Sequence, residues 1–181
     1  MKTLVIVAHP DLSASRINLA WVNGLKQEAS VTVHNLYEAY PDHWIDVERE
    51  QQLLDGHDRI VFQYPLFWYS TPPLLKQWFD DVLERGWAFG PGGEHLKNKE
   101  IGVAVSTAGT EESYRPEGYN RFLIRDLLKP MEALVVHVDA VYLPPFLLHD
   151  SRNVTDEQLV ASAAAYLRYL TAARLPEELV P

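Results

Sequence analysis

Cysteine is absent from the 181-residue chain. Disulfide bonds, thiolate nucleophiles, iron–sulfur clusters and cysteine-ligated zinc sites are therefore excluded. This composition fits a reducing compartment, and we expect a cytoplasmic protein. The 7 histidines are scattered along the chain without an HExxH pair, so we predict no metal site.

Positive charge is also scarce. The 16 lysines and arginines are outnumbered by 25 aspartates and glutamates, which gives a formal net charge of −9. An acidic surface disfavours binding to nucleic acid or to anionic lipid. Long apolar runs are missing as well: the first one stops at His9-Pro10, and none approaches the roughly 18 residues of a membrane span. We therefore expect a soluble protein that does not bind nucleic acid.

Several sequence motifs of common α/β enzymes are missing too. The loop after the first apolar run, residues 9–18, contains no glycine, which excludes the dinucleotide-binding fingerprint and the Walker loop there. No G-x-S-x-G sequence is present, so a serine nucleophile of the α/β-hydrolase type is not predicted.

Short apolar runs alternate with longer helical patterns along the chain. The predicted strands cover residues 4–8, 31–36, 59–64, 101–106 and 134–141. The predicted helices cover residues 15–28, 46–54, 72–83, 119–128 with a continuation past Pro130, and 155–173. This alternation predicts an α/β fold with a doubly wound, five-stranded parallel sheet in the order 2-1-3-4-5 and helices on both faces. We expect one domain over residues 1–181, with a frayed tail at 176–181.

Ligands of doubly wound sheets bind beyond the carboxyl ends of the strands, where the strand order reverses. This rule places the candidate site in three loops, residues 9–18, 65–73 and 106–118. The chemistry of each loop can then be considered separately.

The first loop leads into a helix, whose free amides and positive dipole end favour a phosphate. Ser15 and Asn18 add donors, Arg16 adds charge next to Ile17, and His9 can donate from the rim. The alternative interpretation is a simple helix cap made by Ser15, with the other side chains solvated.

The second loop places three adjacent aromatic residues, Phe67, Trp68 and Tyr69, after Pro65 and Leu66. A loop at this edge of a sheet is normally polar unless it faces an apolar ligand or a partner. The alternative interpretation is a buried hydrophobic plug.

The third loop begins with small residues, Ser106, Thr107, Ala108 and Gly109, which allow close approach of the backbone. Tyr114 follows and could cover a planar ring. The three loops together favour a phosphorylated, flat aromatic ligand, and FMN fits that description better than a bare nucleotide.

The chain resembles the flavodoxin-like NAD(P)H:quinone oxidoreductase family. It is most similar to small bacterial members: ancillary subunits of glutathione-gated potassium-efflux systems, general stress proteins and drug-modulator oxidoreductases. The resemblance covers residues 1 to about 150. It is carried by the segments AHP at 8–10, SRIN at 15–18, DVEREQQ at 46–52, VFQYPLFWYSTPPLLKQW at 61–78 and GWAFG at 86–90.

The resemblance implies an enzyme that binds FMN rather than FAD and uses NADPH or NADH as electron donor. It implies a two-electron, ping-pong hydride transfer through flavin N5 to a quinone, and a homodimer. It further implies specific roles for the three loops. The residues implied in cofactor binding are His9, Ser15, Arg16, Ile17, Asn18, Pro65, Leu66, Phe67, Trp68, Tyr69, Ser106, Thr107, Ala108, Gly109 and Tyr114.

Within that set, Tyr69 and Tyr114 are expected to position the reactants, and the backbone at Gly109 to stabilise negative charge on the reduced ring. Three departures from the family pattern concern this chemistry. Ala108 stands where the family loop commonly has glycine, which is tolerable unless the position needs a positive φ. Asn120 stands six residues after the tyrosine, where the larger animal enzymes have a histidine that assists charge transfer. Phe89 replaces a tyrosine over the substrate.

Two other functions remain open from the sequence. The similarity to ancillary subunits favours a flavin-binding regulatory subunit docked on a membrane potassium antiporter, peripheral to the inner membrane. A one-electron carrier is the other alternative, although the long loop at 63–73 and the implied dimer speak against it.

Overall fold

A parallel β-sheet forms the middle layer of the protein in the computed structural model, which describes residues 1–173. The strands are β1 (Thr3–Val7), β2 (Val31–Asn35), β3 (Arg59–Pro65), β4 (Glu100–Ser106), β5 (Val141–Tyr142) and β6 (Phe146–Leu148). The helices are α1 (Arg16–Leu25), α2 (Leu36–Ala39), α3 (Val47–Asp55), α4 (Pro73–Val82), α5 (Ile124–Leu127), α6 (Lys129–His137) and α7 (Asp156–Thr171). Short 3₁₀ turns occur at Leu12–Ala14 and Glu111–Tyr114. The predicted tail at 176–181 lies outside the described residues.

The strand order is β2-β1-β3-β4-β5, with every pairing parallel, as predicted. The fifth position of the sheet is divided between two short strands along the same edge of β4. β5 pairs with its first two residues, and β6 pairs with its last three. Pro144 and Pro145 separate them, because proline has no N–H to donate to a sheet ladder.

The prediction of a strand at 134–141 is wrong. Residues Lys129–His137 form α6, and the strand begins only at Val141. A short β-branched run such as Leu134-Val135-Val136 cannot be distinguished from a buried helix by apolar character alone. The helix predicted from Tyr119 also begins later, at Ile124, and residues Leu36–Ala39 after β2 form the short helix α2.

Two hydrophobic cores lie on opposite faces of the sheet. α4 packs on one face with an apolar stripe, whose buried members are Leu74, Leu75, Trp78, Phe79 and Val82. α1 and α7 cover the other face, where Trp21 packs against Tyr166 with ring centroids 5.2 Å apart. No helix within residues 1–173 has the length and apolar character needed to cross a bilayer.

A buried carboxylate lies inside the α4 core. Glu50, on α3, is fully buried and accepts hydrogen bonds from His34 Nε2 (2.8 Å), Tyr40 Oη (2.6 Å) and Trp78 Nε1 (2.8 Å). Burial pushes the pKa of Glu50 up, but these hydrogen bonds, led by the one from His34, outweigh it and hold the pKa below its usual value. The carboxylate therefore joins β2, α3 and α4 in its ionised form.

We expect Glu50→Gln to lower the unfolding free energy at pH 7 by about 2–4 kcal/mol, because an amide cannot accept all three donors. The folded-state pKa of Glu50 is depressed, so its contribution is present above the usual value of 4.5 and is lost as pH falls through the folded value. Urea unfolding at pH 7 measures the loss of unfolding free energy in Glu50→Gln. The same measurement at pH 4 or below checks that this loss becomes smaller in acid. Glu48→Gln, an exposed change on the same helix, is the control and should stay within about 0.5 kcal/mol. A difference that stays constant with pH would contradict the assignment.

Candidate functional site

The three predicted loops meet at the carboxyl edge of β1, β3 and β4, where they line two adjoining cavities. One cavity, of about 360 Å³, lies over the start of α1. The other, of about 520 Å³, lies beside the aromatic loop. Leu66 and Ala108 line both cavities, which therefore adjoin, and we call the two cavities together the groove. Each volume falls in the range of small-molecule sites, roughly 300–1,000 Å³.

The start of α1 forms the wall of the smaller cavity. Ser15 caps the helix, and its Oγ accepts from the backbone amide of Asn18 (3.3 Å). The first amides of a helix have no intrahelical acceptor, so those of Arg16 and Ile17 stay available. The side chain of Asn18 is fixed by bonds to Ser15 Oγ (3.2 Å) and Ser106 Oγ (3.0 Å). These groups form a rigid, donor-rich end of the groove.

The two basic side chains at this end behave differently. The Arg16 guanidinium bonds Val154 O (2.9 Å) and Asp156 Oδ1 (2.7 Å) at the start of α7, so Arg16 contributes mainly its backbone amide. His9 lies at the rim, and its Nδ1 accepts from the backbone amide of Asp11 (3.1 Å). Burial lowers the pKa of His9, and the Asp11 carboxylate only partly offsets this. The neutral His9 ring therefore carries its proton on Nε2, where it can donate to a ligand.

The aromatic loop forms a two-residue hairpin at the larger cavity. Phe67 and Ser70 exchange backbone hydrogen bonds of 3.0 and 2.9 Å, and Trp68 and Tyr69 between them have φ values of +46° and +62°. Trp68 is 94% exposed. The alternative of a buried hydrophobic plug is therefore wrong for this loop, which presents its rings to solvent at the edge of the groove.

Two bulky residues at positive φ strain this turn, since left-handed backbone costs a residue with a Cβ roughly 1–2 kcal/mol. Asn-Gly is the sequence that such turns prefer. We expect the double change Trp68→Asn, Tyr69→Gly to raise the unfolding free energy by about 1–2 kcal/mol. Thermal unfolding checks this, with Trp44→Asn, another exposed tryptophan but without positive φ, as the control. A fall in stability would show that ring packing, and not backbone strain, dominates the turn.

The third loop follows β4 and is hydrogen-bonded to the last residue of β6, Leu148, and to the segment that follows it. The Thr107 amide donates to Leu148 O (3.0 Å), and the Thr107 hydroxyl donates to Gly109 O (2.9 Å). Ala108 is not among the positive-φ residues, so its methyl group is tolerated, as expected. A Cβ at Gly109 would lie 2.5 Å from Ser113 Oγ, so glycine is needed there for close packing.

Tyr114 and Asn120 close the far side of the larger cavity together with Tyr69. Tyr114 is buried, and that burial raises the pKa of its hydroxyl. Tyr69 Oη donates to Asn120 Oδ1 (3.1 Å), and Asn120 Nδ2 donates to Ser113 Oγ (3.1 Å). The structure thus brings Tyr69, Gly109 and Tyr114 to one cavity. Phe89 lies elsewhere, with its ring 4.7 Å from that of His137.

The segment after β6 was not predicted from the sequence to line the site. Asp150, Arg152 and Asn153 line the larger cavity, and Ser151 lines the smaller one. The signal that could have found them is the same rule on carboxyl ends of strands, applied to the correct fifth strand. Because the fifth strand was predicted at 134–141, residues 150–153 were not recognised as part of the site.

Comparison with known proteins agrees with this architecture. An NAD(P)H oxidoreductase of Bacillus subtilis, YdeQ, is 52% identical over 94% of this chain and 87% of the relative. The glutathione-regulated potassium-efflux system ancillary protein KefG of Cronobacter sakazakii is 41% identical over 93% of this chain and 92% of its own.

Solved structures are similar over nearly their full length. General stress protein 14 of Treponema denticola, determined in complex with FMN, superposes with a TM-score of 0.92 at 40% identity, covering 96% of this chain and 100% of that one. An NADPH-quinone reductase from P. pentosaceus gives 0.89 at 34% identity, with coverages of 96% and 100%. The family model described as "Flavodoxin-like fold" matches residues 1–170. The chain therefore belongs to this flavodoxin-like family.

Proposed function

We propose that the protein is an FMN-dependent oxidoreductase that transfers electrons from NADPH or NADH to a quinone-like acceptor. The observation that carries the proposal is the groove of two adjoining cavities, one lined by the donor-rich start of α1 and the other by the aromatic hairpin. An FMN-bound structural neighbour and relatives named as NAD(P)H oxidoreductase and quinone reductase support it.

The groove fits the two parts of FMN. The amides of Arg16 and Ile17 and the rim nitrogen of His9 suit a phosphate, since a helix start provides both donors and a favourable dipole. The aromatic hairpin suits a planar ring. FAD fits less well, because its adenine needs contacts beyond these loops.

The chemistry rests with the cofactor, which when bound accepts hydride from a nicotinamide and passes two electrons on. The chain supplies position and electrostatics. Tyr69 and Tyr114 flank the ring end, and the backbone around Gly109 offers dipoles to negative charge. Trp68 is exposed at the mouth, where it leaves a planar donor or acceptor room to stack.

The test begins with purified protein mixed with FMN and desalted. We expect the yellow absorbance to be retained, to bleach on anaerobic addition of NADPH or NADH, and to recover rapidly with a quinone. Protein without retained flavin would overturn the proposal. Retained flavin that neither nicotinamide reduces would overturn its enzymatic part.

A homodimer is part of this proposal. Trp68 and Tyr119 are exposed and line the larger cavity, and exposed aromatic residues are typical of interaction surfaces. A second copy would cover them and enclose the substrate face. Sedimentation equilibrium should give twice the chain mass, and a monomer at micromolar concentration would contradict this.

A second candidate function is that of a cytoplasmic ancillary subunit of a potassium antiporter. The specific observation is the 41% identity to KefG. Retained flavin together with co-purification of a potassium antiporter from membranes of the same organism would support it. Failure with every antiporter encoded by that organism would exclude it.

A further inference from the structure

His149 lies behind the third loop and is bonded to it. The residue directly follows β6, and its Nδ1 lies 2.9 Å from the Oγ1 of Thr107. Thr107 is almost fully buried, and its hydroxyl also lies 2.9 Å from Gly109 O. The imidazole therefore contacts the loop through one buried hydroxyl group.

The direction of these bonds follows from the donors available. A carbonyl oxygen only accepts, so the single hydroxyl proton of Thr107 goes to Gly109 O. The hydroxyl oxygen must then accept from His149, whose Nδ1 carries a proton. The Asp150 amide donates to Gly109 O as well (2.9 Å). The Thr107 hydroxyl and the Asp150 amide thus fix the Gly109 carbonyl, and His149 orients the hydroxyl.

The fixed carbonyl sets the orientation of the adjacent amide. The peptide between Gly109 and Thr110 is planar and trans, so its N–H is directed opposite to its C=O. Both residues line the larger cavity. His149 therefore sets the direction of a backbone dipole at the place where the cofactor ring is proposed to lie.

Asn120 stands where the larger animal enzymes of the resembled family have a histidine that assists charge transfer. Here it bonds Tyr69 and Ser113. An asparagine carries no proton that titrates. His149 offers such a proton from a different element of the fold, next to Tyr114, whose ring centroid is 5.5 Å away.

The charged and titratable surroundings of His149 come from three elements. The 3₁₀ turn contributes Glu111, Glu112 and Tyr114, Arg115 directly follows that turn, α5 contributes Arg125, and the loop after β6 contributes Asp150. Burial lowers the pKa of His149, while Glu111 and Glu112 act in the opposite direction. At pH 7 without a further negative charge, the ring is thus neutral and able to take up a proton.

We propose that His149 is a positioning residue for the reduced cofactor: acting through Thr107, it orients the Gly109 peptide and takes up one proton from solvent when negative charge develops on the ring. The proposal rests on the proposed function. The electrons come from the nicotinamide, and the proton returns to solvent on reoxidation.

The first test measures the protonation of His149 itself. Nuclear magnetic resonance titration of the imidazoles is carried out on protein without FMN, with oxidised FMN and with FMN reduced by dithionite; His149→Gln assigns the signal. Coupling between two sites is reciprocal and is commonly 5- to 150-fold. We expect the pKa of His149 to rise by about one unit on reduction, which is a tenfold change in proton affinity. An unchanged pKa would overturn the proposal.

The second test measures how much more tightly each variant binds reduced than oxidised FMN. By the same reciprocity, His149→Gln should reduce this ratio about tenfold at pH 7. Thr107→Val, which removes the hydroxyl, should reduce this ratio similarly. Thr107→Ser, which keeps the hydroxyl, should retain the wild-type ratio. His95→Gln, which removes a histidine bonded to Asp55, is the matched control and should leave it unchanged.

Failure of this proposal differs from failure of the proposed function. If the wild-type chain does not hold FMN, the proposed function falls and this inference falls with it. If wild-type and His149→Gln proteins both bind FMN with the same ratio, only the role of His149 is wrong.

Discussion

Replacing Arg59 with methionine is expected to lower the unfolding free energy by about 3–5 kcal/mol while leaving FMN binding unchanged. The guanidinium is fully buried at the start of β3 and forms an ion pair with Glu100 (2.6 Å). It also donates to Tyr169 O (2.8 Å), Leu170 O (3.0 Å) and Ala172 O (2.9 Å). Methionine replaces only the aliphatic stem of arginine and has no donor, so the carbonyls at the end of α7 would lose their partners.

Thermal and urea unfolding measure this loss. The melting temperature should fall by roughly 6–20 °C, since one kcal/mol corresponds to about 2–4 °C in a chain of this size. Arg168→Met, a change at an exposed arginine of α7, is the control and should change stability by less than about 0.5 kcal/mol.

The position of Arg59 separates stability from function. It lies at the amino end of β3, paired in register with the first residue of β4, whereas the groove lies beyond the carboxyl ends. Folded Arg59→Met protein should therefore retain FMN at low temperature. Loss of FMN without loss of stability would contradict this separation of the two ends of the sheet.

Arg59 also shows what the sequence could not predict. A charged residue at the start of a strand is normally interpreted as solvent-exposed. The burial of Arg59 could not be predicted, because its partners are 41 to 113 positions away along the chain. Likewise, no local pattern predicts positive φ at Trp68 and Tyr69, since bulky residues rarely adopt it.

What was predictable came from local chemistry with a clear period. The helices predicted at 15–28, 46–54 and 72–83 are present as α1, α3 and α4, where Ser15 and Asp46 are the N-caps of the first two and Pro73 begins the third. The first four strands were recognisable as short apolar runs, and their order follows from alternation with helices. These elements carry the three loops, so most of the groove was predictable as well.

The remaining part of the site was lost through one ambiguous segment. The apolar run at 134–137 belongs to α6, and the true fifth position is made of two pieces of two and three residues. Strands that short carry no readable period. Because of this, His149 and the segment that follows it were left out of the candidate site.

Ala108→Phe is expected to raise the dissociation constant for FMN at least about 100-fold, a loss of roughly 2.7 kcal/mol in binding free energy. Ala108 lines both cavities, so a phenyl ring there would fill the junction that the ligand must cross. The residue is exposed and does not have positive φ, so the larger side chain enters open space. Stability should therefore change by less than about 0.5 kcal/mol. Fluorescence titration with FMN and urea unfolding measure the two quantities.

Ala108→Gly is the matched control for this change. Since the family loop that the chain resembles commonly has glycine there, the variant should bind FMN within about twofold of wild type, a difference of about 0.4 kcal/mol. If Ala108→Phe still bound FMN tightly, the cofactor could not lie across both cavities, and the single groove would have to be two separate sites. If it lost FMN while Ala108→Gly kept it, the loss would come from occupied space and not from a disturbed backbone, because glycine is the more permissive residue for the loop. The pair of variants thus tests the one geometric feature on which the proposed function rests.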